Sequence, residues 1–200
     1  MNQSIWKILI FTCALWVSIT SVFADTVNLT ISAGSPNSVK FSSKAPLETV
    51  TGETDQIWGK ISFDPADIGA GVKSKLTVNL TTLKTGNRIR DSHMYNNHLH
   101  TAQYPECVFT FSRIDAQPVT GLIDGASYKF KIAGTLALHG VEKEIAAETD
   151  VKWSEALGAL DVTAKFEVYL SNFDIPRPQF LVMKLDEKLT IEVHFTAKQE

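Results

Sequence analysis

Hydrophobic and polar residues alternate along most of the chain, with the two-residue period of a half-buried β-strand. The alternation begins at residues 27–31 and is most regular at residues 189–195, near the C-terminus. Turns rich in glycine and proline, such as residues 34–37, separate the alternating runs. This pattern predicts about eight or nine strands at hairpin spacing, without the strand–helix rhythm of a parallel sheet.

So many antiparallel strands must hide their edges, and a sheet that closes on itself does so. We therefore expect an all-β fold, an antiparallel β-barrel of about eight strands with one short central α-helix. Gly59 and Gly134 lie within predicted strands, where glycine suits the sharp bends of a small barrel. Such a barrel encloses either a packed core or room for one small ligand. Periodicity alone favours the packed core, because aromatic side chains usually pack against one another.

The central helix is predicted within residues 87–105, the one strongly polar segment in the middle of the chain that does not alternate. Asn87 is a favourable N-cap, and Pro105 prevents a helix from continuing. We expect the helix at residues 88–99. Its apolar residues are Ile89, Met94 and Leu99.

Residues 1–24 have the features of a secretory signal peptide, with Lys7 before an apolar run at residues 8–22 and small residues at the predicted cleavage site. A membrane anchor is the alternative, but the run is shorter than the ~20 residues that a spanning helix needs. We expect cleavage after Ala24, export to the periplasm or beyond, and a single β-barrel domain at residues 25–200.

Composition limits the partners of the exported chain. Residues 25–200 carry 18 Lys and Arg against 22 Asp and Glu, a net charge of −4 without a basic run. This argues against nucleic acid and anionic membrane surfaces as partners. Cys107 is the only cysteine left after the signal peptide is removed, so no internal disulfide can form. We interpret it as a small, half-buried residue, since no His/Asn partner pattern surrounds it.

A histidine cluster is the candidate metal site. His93, His98 and His100 lie within eight residues, beside Asp91, and histidine is the commonest transition-metal ligand. On an α-helix, however, His93 and His98 point about 140° apart and do not share a face. We therefore expect surface histidines and no metal site.

Catalytic motifs are not recognisable. Asp64 and Asp67, and likewise Glu142 and Glu144, are carboxylate pairs by sequence only. No phosphate-binding loop, nucleophile elbow or Cys/His dyad accompanies them. We expect no enzymatic activity and no cofactor.

Two further features allow two interpretations each. Arg90 and Asp91 are either a structural ion pair that fixes the helix across the barrel end, which we favour, or ligand-binding residues. The loop at residues 173–180 contains Pro176 and Pro178, which restrict its backbone. We expect a simple connection to the last strand, with a lid over the barrel as the alternative.

Several segments resemble the motifs of the YceI-like proteins. They are Arg90-Asp91-Ser92-His93-Met94, Tyr104-Pro105, Phe109-Thr110-Phe111-Ser112 and residues 134–143, 59–65 and 185–191. The motifs stand in the family's order and span residues 39–196. The resemblance implies a lipocalin-like barrel, exported to the periplasm or outside, that holds a long apolar molecule such as a polyisoprenoid or a fatty amide. It implies no shared catalytic constellation.

The resemblance makes the inward faces of the strands candidate ligand-binding residues. The wall residues are Phe41, Ile61, Phe63, Leu76, Val78, Leu80, Phe109, Phe111, Phe130, Leu136, Leu138 and Phe166. At the mouth, Arg90, His93 and Tyr95 are expected near a polar head, and Met94 of the same helix is a further candidate ligand-binding residue. A long-chain apolar small molecule is thus the expected partner, while a transient membrane contact and a homodimer stay open. The alternative function is a barrel with a packed interior that acts through its surface in stress response or protein interaction.

Overall fold

The computed structural model describes residues 26–45, 48–116, 119–180 and 183–199, so the predicted signal peptide lies outside the described residues. The strands are β1 (Val27–Ile31), β2 (Ser38–Lys44), β3 (Thr49–Thr54), β4 (Ile57–Phe63), β5 (Lys73–Asn79), β6 (Glu106–Ala116), β7 (Ser127–Leu138), β8 (Val141–Ser154), β9 (Ala159–Tyr169), β10 (Gln179–Phe180), β11 (Met183–Lys184) and β12 (Lys188–Gln199). Helix α1 (Arg88–His93) lies between β5 and β6.

Ten of the described strands form one antiparallel sheet in the order β1-β4-β5-β6-β7-β8-β9-β12-β2-β3. Strand β1 also pairs with β12, through Leu29 with Gln199 and Thr30 with Lys198, and this pairing closes the sheet. One edge of β12 pairs with β9, and its other edge pairs with both β1 and β2, so β1 and β2 together occupy one position around the barrel. Strand β4 pairs with β1 and strand β3 with β2, so β4 and β3 together occupy the next position. The predicted antiparallel barrel of about eight strands is confirmed.

One irregularity in the sheet lies beside a predicted glycine bend. Strand β6 has a register shift between Phe111 and Arg113, opposite Gly134 and Ala133 of β7. Such a bulge increases the local twist that a small barrel needs. At Gly134 an added Cβ would lie 2.4 Å from the ring of Phe109. Glycine therefore lets this ring lie across the neighbouring strand.

Inward-facing apolar side chains form two clusters, one toward each end of the barrel. The first, which we call the packed end, consists of the buried residues Leu29, Ile31, Ile57, Ile61, Phe63, Ile68, Phe130, Trp153, Leu160, Val162, Phe195 and Ala197. The second, the mouth cluster, consists of Leu136, Val168, Leu170, Phe173 and Ile175. The two clusters define a floor and a rim for the space between them.

Helix α1 begins at Asn87, whose Oδ1 accepts hydrogen bonds from the backbone N–H groups of Ile89 (3.0 Å) and Arg90 (3.1 Å). It runs directly into a π-helical turn, Met94–His98, and ends one residue before the predicted end. We call residues 88–98 the mouth helix. None of them is buried, which shows that the mouth helix is not packed into a core. In the part of the chain that the structure describes, no helix has the length and apolar character needed to cross a bilayer.

Candidate ligand-binding cavity

A cavity of about 960 Å³ occupies the barrel between the packed end and the mouth. Phe63 and Ile68 line its floor, and Ile89 and Met94 of the mouth helix line its outer end. Its walls are almost entirely apolar side chains contributed by the strands. This volume lies at the upper end of the range of small-molecule sites, about 300–1,000 Å³. The interior is therefore not filled, and the packed core that periodicity alone favoured is wrong.

The predicted wall residues lie together around this cavity. All twelve line it, and so do three of the four residues predicted at the mouth, which are Arg90, His93 and Met94. Many of the wall residues are only half-buried, because their side chains border the cavity rather than other atoms. That they contact a ligand remains a prediction.

Tyr95 is the exception among the residues predicted at the mouth. It is not among the residues that line the cavity. Its hydroxyl donates a hydrogen bond to the backbone carbonyl of Leu83, in the chain that follows β5. Burial and the nearby Asp91 carboxylate raise the pKa of Tyr95, so the hydroxyl stays protonated and remains a donor. Tyr95 therefore ties the mouth helix to the barrel rim.

Many residues that line the cavity are not among those predicted from the sequence, although their alternation with polar residues marks them. The omitted wall residues on the last strands include Ile145, Thr149, Val151, Val162, Ala164, Ile191 and Val193. They occupy alternate positions of β8, β9 and β12, so the two-residue period that predicted these strands also identifies their inward faces. The distance between opposite walls of the barrel, in contrast, follows only from the structure.

Arg90 and Asp91 do not act as a mutual ion pair, which corrects that interpretation. Arg90 donates from Nε to Thr85 Oγ1 (2.9 Å) and from Nη2 to the Thr85 carbonyl (3.0 Å), and its Nη1 lies 3.3 Å from Glu48. Asp91 Oδ1 accepts hydrogen bonds from the Thr85 N–H (2.8 Å) and hydroxyl (2.5 Å). Both side chains thus converge on Thr85 and fix the start of the mouth helix to the rim.

The π-helical turn changes the predicted geometry of the histidines. The backbone N–H of Leu99 donates to the Met94 carbonyl at 2.8 Å, the i→i+5 pattern that widens a helix. As a result His93 and His98 both line the cavity, instead of pointing apart as an α-helix would require. His98 Nδ1 lies 2.9 Å from the Pro176 carbonyl. No group of three His, Cys, Asp or Glu side chains within the described ranges is arranged to hold a metal ion.

Cys107 lies in the cavity wall at the start of β6. Burial raises the pKa of the Cys107 thiol to about 12, since no opposite charge offsets the cost of a thiolate there. The thiol is therefore protonated at physiological pH and is a poor nucleophile. This agrees with the interpretation from sequence.

The carboxylate pairs have structural explanations. Asp64 and Asp67 each accept a hydrogen bond from a backbone N–H two residues further on, as turn-capping residues do. Glu144 forms a salt bridge with Arg113 at 2.8 Å, and both side chains are exposed. Neither pair lies at the cavity.

Residues 170–178 cover part of the cavity's outer end, beside the mouth helix. Leu170, Ile175 and Pro178 line the cavity. Phe173 and Ile175 are 1% and 5% exposed, within the mouth cluster. This segment is thus more than the simple connection that we expected from its prolines, since it forms a wall of the cavity.

Comparison with known families identifies the architecture. The YceI-like domain matches residues 18–197. The chain belongs to the YceI-like domain family. It is 26% identical over 152 residues to UPF0312 protein VPA0850 of Vibrio parahaemolyticus, a match that covers 72% of each chain.

Solved structures share this YceI-like fold at low sequence identity. One is a polyisoprenoid binding domain from Saccharophagus degradans implicated in plant cell wall breakdown, with a TM-score of 0.66, 18% identity, and coverage of 86% of this chain and 98% of that one. A second is BcnA of Burkholderia cenocepacia, with a TM-score of 0.66, 15% identity, and coverage of 81% and 96%. A third is the YceI protein of Campylobacter jejuni, with a TM-score of 0.61, 20% identity, and coverage of 76% and 86%. At these identities the likeness establishes the fold alone.

Proposed function

We propose that this protein is an exported carrier that holds the tail of a long-chain apolar molecule inside the barrel. The observation that carries the proposal is the cavity of about 960 Å³ with apolar walls from floor to mouth. A tail of polyisoprenoid, fatty-acid or fatty-amide type fits such walls. The binding of polyisoprenoid by the Saccharophagus degradans domain supports this class of ligand.

The energetics favour a tail over a compact ligand. Each CH₂ group transferred from water to an apolar site contributes about 0.8 kcal/mol. A tail that extends from Phe63 at the floor to Met94 at the mouth gains this contribution along its whole length. The polar groups at the mouth, Arg90 and His93, then meet the end of the ligand that faces water.

We propose binding without catalysis. The cavity thiol, Cys107, is protonated, and the mouth cation, Arg90, is bonded to Thr85 and Glu48. The alternative function, a packed barrel that acts only through its surface, requires an interior without a cavity and is not favoured here.

A matched pair of tryptophan substitutions tests the carrier proposal. Ala164 of β9 lines the cavity, whereas Ala146 of β8 faces outward and is exposed. In a fluorescence titration with N-phenyl-1-naphthylamine, an uncharged apolar dye, Ala164→Trp should weaken binding at least about tenfold, equivalent to ~1.4 kcal/mol. Ala146→Trp should bind as the parent protein does. Equal binding by all three proteins, or no binding by the parent, would contradict the proposal.

Export is a separate part of the proposal and has its own test. Residues 1–24 should be absent from protein recovered outside the cytoplasm of a bacterial host, because the predicted cleavage site follows Ala24. N-terminal sequencing should then begin at Asp25. Recovery of the uncleaved chain from the cytoplasm alone would contradict export.

A further inference from the structure

Four of the chain's five histidines, His93, His98, His100 and His139, lie at one corner of the barrel mouth, and the last three of them form hydrogen-bond contacts there. His98 Nδ1 lies 2.9 Å from the carbonyl of Pro176. His100 Nδ1 lies 2.7 Å from His139 Nε2, and His139 Nδ1 lies 3.0 Å from the carbonyl of Phe173. These contacts connect the end of the mouth helix and the β7–β8 turn to residues 170–178.

The partners determine where the protons of the paired histidines lie. A carbonyl only accepts, so His139 carries a proton on Nδ1 and offers Nε2 as the acceptor. His100 therefore donates from its own Nδ1. The pair can hold one additional proton and keep its hydrogen bond, but not two, because two N–H groups would then face each other across 2.7 Å.

The backbone is unusual at the same corner. His100 (φ 45°), His139 (φ 53°) and Asp174 (φ 53°) are the three described residues other than glycine with positive φ. Asp174 directly follows Phe173, the residue whose carbonyl His139 contacts. Left-handed conformations at non-glycine residues persist only where surrounding contacts hold them, and they concentrate at clamps and switch regions. The histidine contacts supply that restraint here.

Residues 170–178 are held over the cavity by the packing of Phe173 and Ile175 and by these histidine contacts. The segment lies outside the barrel ladder, and its own backbone bonds include Ile175 N–H to the Leu170 carbonyl at 3.1 Å. At its ends, Leu170 N–H donates to the Glu187 carbonyl (3.0 Å), and the Pro178 carbonyl accepts from Leu185 N–H (3.0 Å). Between those ends, the contacts of His98 and His139 reach the segment from the mouth helix and the β7–β8 turn.

Charged groups of both signs lie on the elements that meet at this corner. Other charged or titratable groups on the elements that meet here are Arg90, Asp91, His93, Tyr104, Glu142, Lys143, Asp174, Arg177, Asp186, Glu187 and Lys188. Arg90 and Asp91 are bonded to Thr85, and Glu187 accepts from the Ser171 hydroxyl. On the segment itself, Asp174 and Arg177 carry opposite charges.

Burial lowers the pKa of His98; its hydrogen bond to the Pro176 carbonyl acts in the opposite direction, and the neighbouring His100 and His93 lower it further. A histidine whose pKa is lowered by its surroundings binds protons more readily once its contacts break. The contacts of His98 are therefore favoured above the ordinary histidine pKa of about 6.5 and lose that stabilisation as the pH falls below it.

We propose that residues 170–178 are a lid over the cavity, latched by His98, His100 and His139, and that acidification opens the latch and releases the ligand. This rests on the proposed carrier function, since the lid regulates access to the same cavity. A carrier of this kind would retain its ligand at neutral pH and unload it in an acidic compartment.

The first test measures how long the dye stays bound. Dissociation of N-phenyl-1-naphthylamine should be at least about fivefold faster near pH 5 than at pH 7.5, within the usual range of coupling between two binding events. In the double variant His100→Gln and His139→Gln, which keeps only His98 of the three latch histidines, the acceleration should be clearly smaller than in the parent. The matched control is His194→Gln, since His194 lies outside the barrel beside Asp161 (3.1 Å) and should keep the parental pH dependence.

The second test does not depend on a ligand. Hydrogen exchange of the amides of Asp174 and Ile175, corrected for intrinsic rates, should accelerate near pH 5 relative to pH 7.5, while the amides of β7 and β8 stay protected. Equal protection of the segment at both pH values would overturn the latch. So would equal acid acceleration of dye release in the parent and the double variant. Failure of the parent to bind the dye at any pH would overturn the carrier function instead.

Discussion

At the packed end of the barrel, side chains fill the interior. Toward the mouth, side chains line an open cavity instead. Leu29 and Ile31 are each 1% exposed, and the rings of Phe63 and Trp153 meet edge-on at 5.5 Å. The mouth helix, residues 88–98, has no buried residue and is fixed by hydrogen bonds. The packed end is therefore stabilised mainly by apolar burial, whereas the mouth combines a smaller apolar cluster with the polar contacts that fix the mouth helix.

The stability of the fold and the access of a ligand to the cavity thus depend on different parts of the barrel. Apolar burial is the larger contribution to folding, and it is concentrated where no ligand needs to pass. Elements that admit ligands belong to the less stable parts of a protein, because they must open without unfolding the rest. The polar contacts of Thr85, Tyr95 and His98 can break and re-form while the floor at Phe63 remains intact.

The largest expected effect comes from removing a side chain at the packed end. Leu29→Ala should lower the free energy of unfolding by about 2–5 kcal/mol, because it leaves a cavity in close-packed surroundings. Met94→Ala, in the mouth helix, should cost less than about 1 kcal/mol, since Met94 already borders the cavity. Urea unfolding followed by circular dichroism gives both values. Similar losses for the two variants would contradict the contrast between the two ends.

A smaller but well-defined effect concerns the thiol inside the cavity wall. In a Cys13→Ser chain Cys107 is the only cysteine. Because burial raises its pKa to about 12, alkylation by iodoacetamide at pH 8 should be slower in the folded than in the unfolded chain by about two to three powers of ten. Mass spectrometry of timed samples measures both rates. Equal rates would show that water reaches the wall freely.

The smallest expected effect lies at the rim. Asp91→Ala removes the acceptor of two Thr85 hydrogen bonds and should lower the free energy of unfolding by about 1–2 kcal/mol, with little change in dye affinity. Ser92→Ala is the matched control, since Ser92 is exposed, and should stay within about 0.5 kcal/mol of the parent. Calorimetry and dye titration measure the two quantities. Weaker dye binding by Asp91→Ala at an unchanged melting temperature would make Asp91 a ligand-binding residue.

The packed end was largely predictable from sequence, because the two-residue period reports which side chains face inward. Residues 189–195 alternate cleanly and form β12, and Asn87 caps the helix as predicted. The pairing of β12 with both β1 and β2 was not readable, since it depends on contacts between residues far apart in sequence. Nor does alternation reveal how far apart opposite walls stand, which decides between a packed core and a cavity.

The mouth was less predictable, because its contacts join distant segments through single side chains. His139 lies 39 residues from His100 and in a different element, so no local pattern connects them. The π-helical turn has no signature in MYNNH, and an α-helical spacing placed His93 and His98 on different faces. Arg90 and Asp91 are recognisable in the sequence as a candidate pair at the barrel end, but their common partner, Thr85, is not.

Native mass spectrometry of the protein purified from bacterial cells under non-denaturing conditions tests the carrier account most directly. We expect a species heavier than the polypeptide by one long-chain apolar molecule, which is released on denaturation and is lost or much reduced in Ala164→Trp but retained in Ala146→Trp. A parent protein that has only the polypeptide mass, and that takes up no long-chain molecule when mixed with lipid extract, would contradict it.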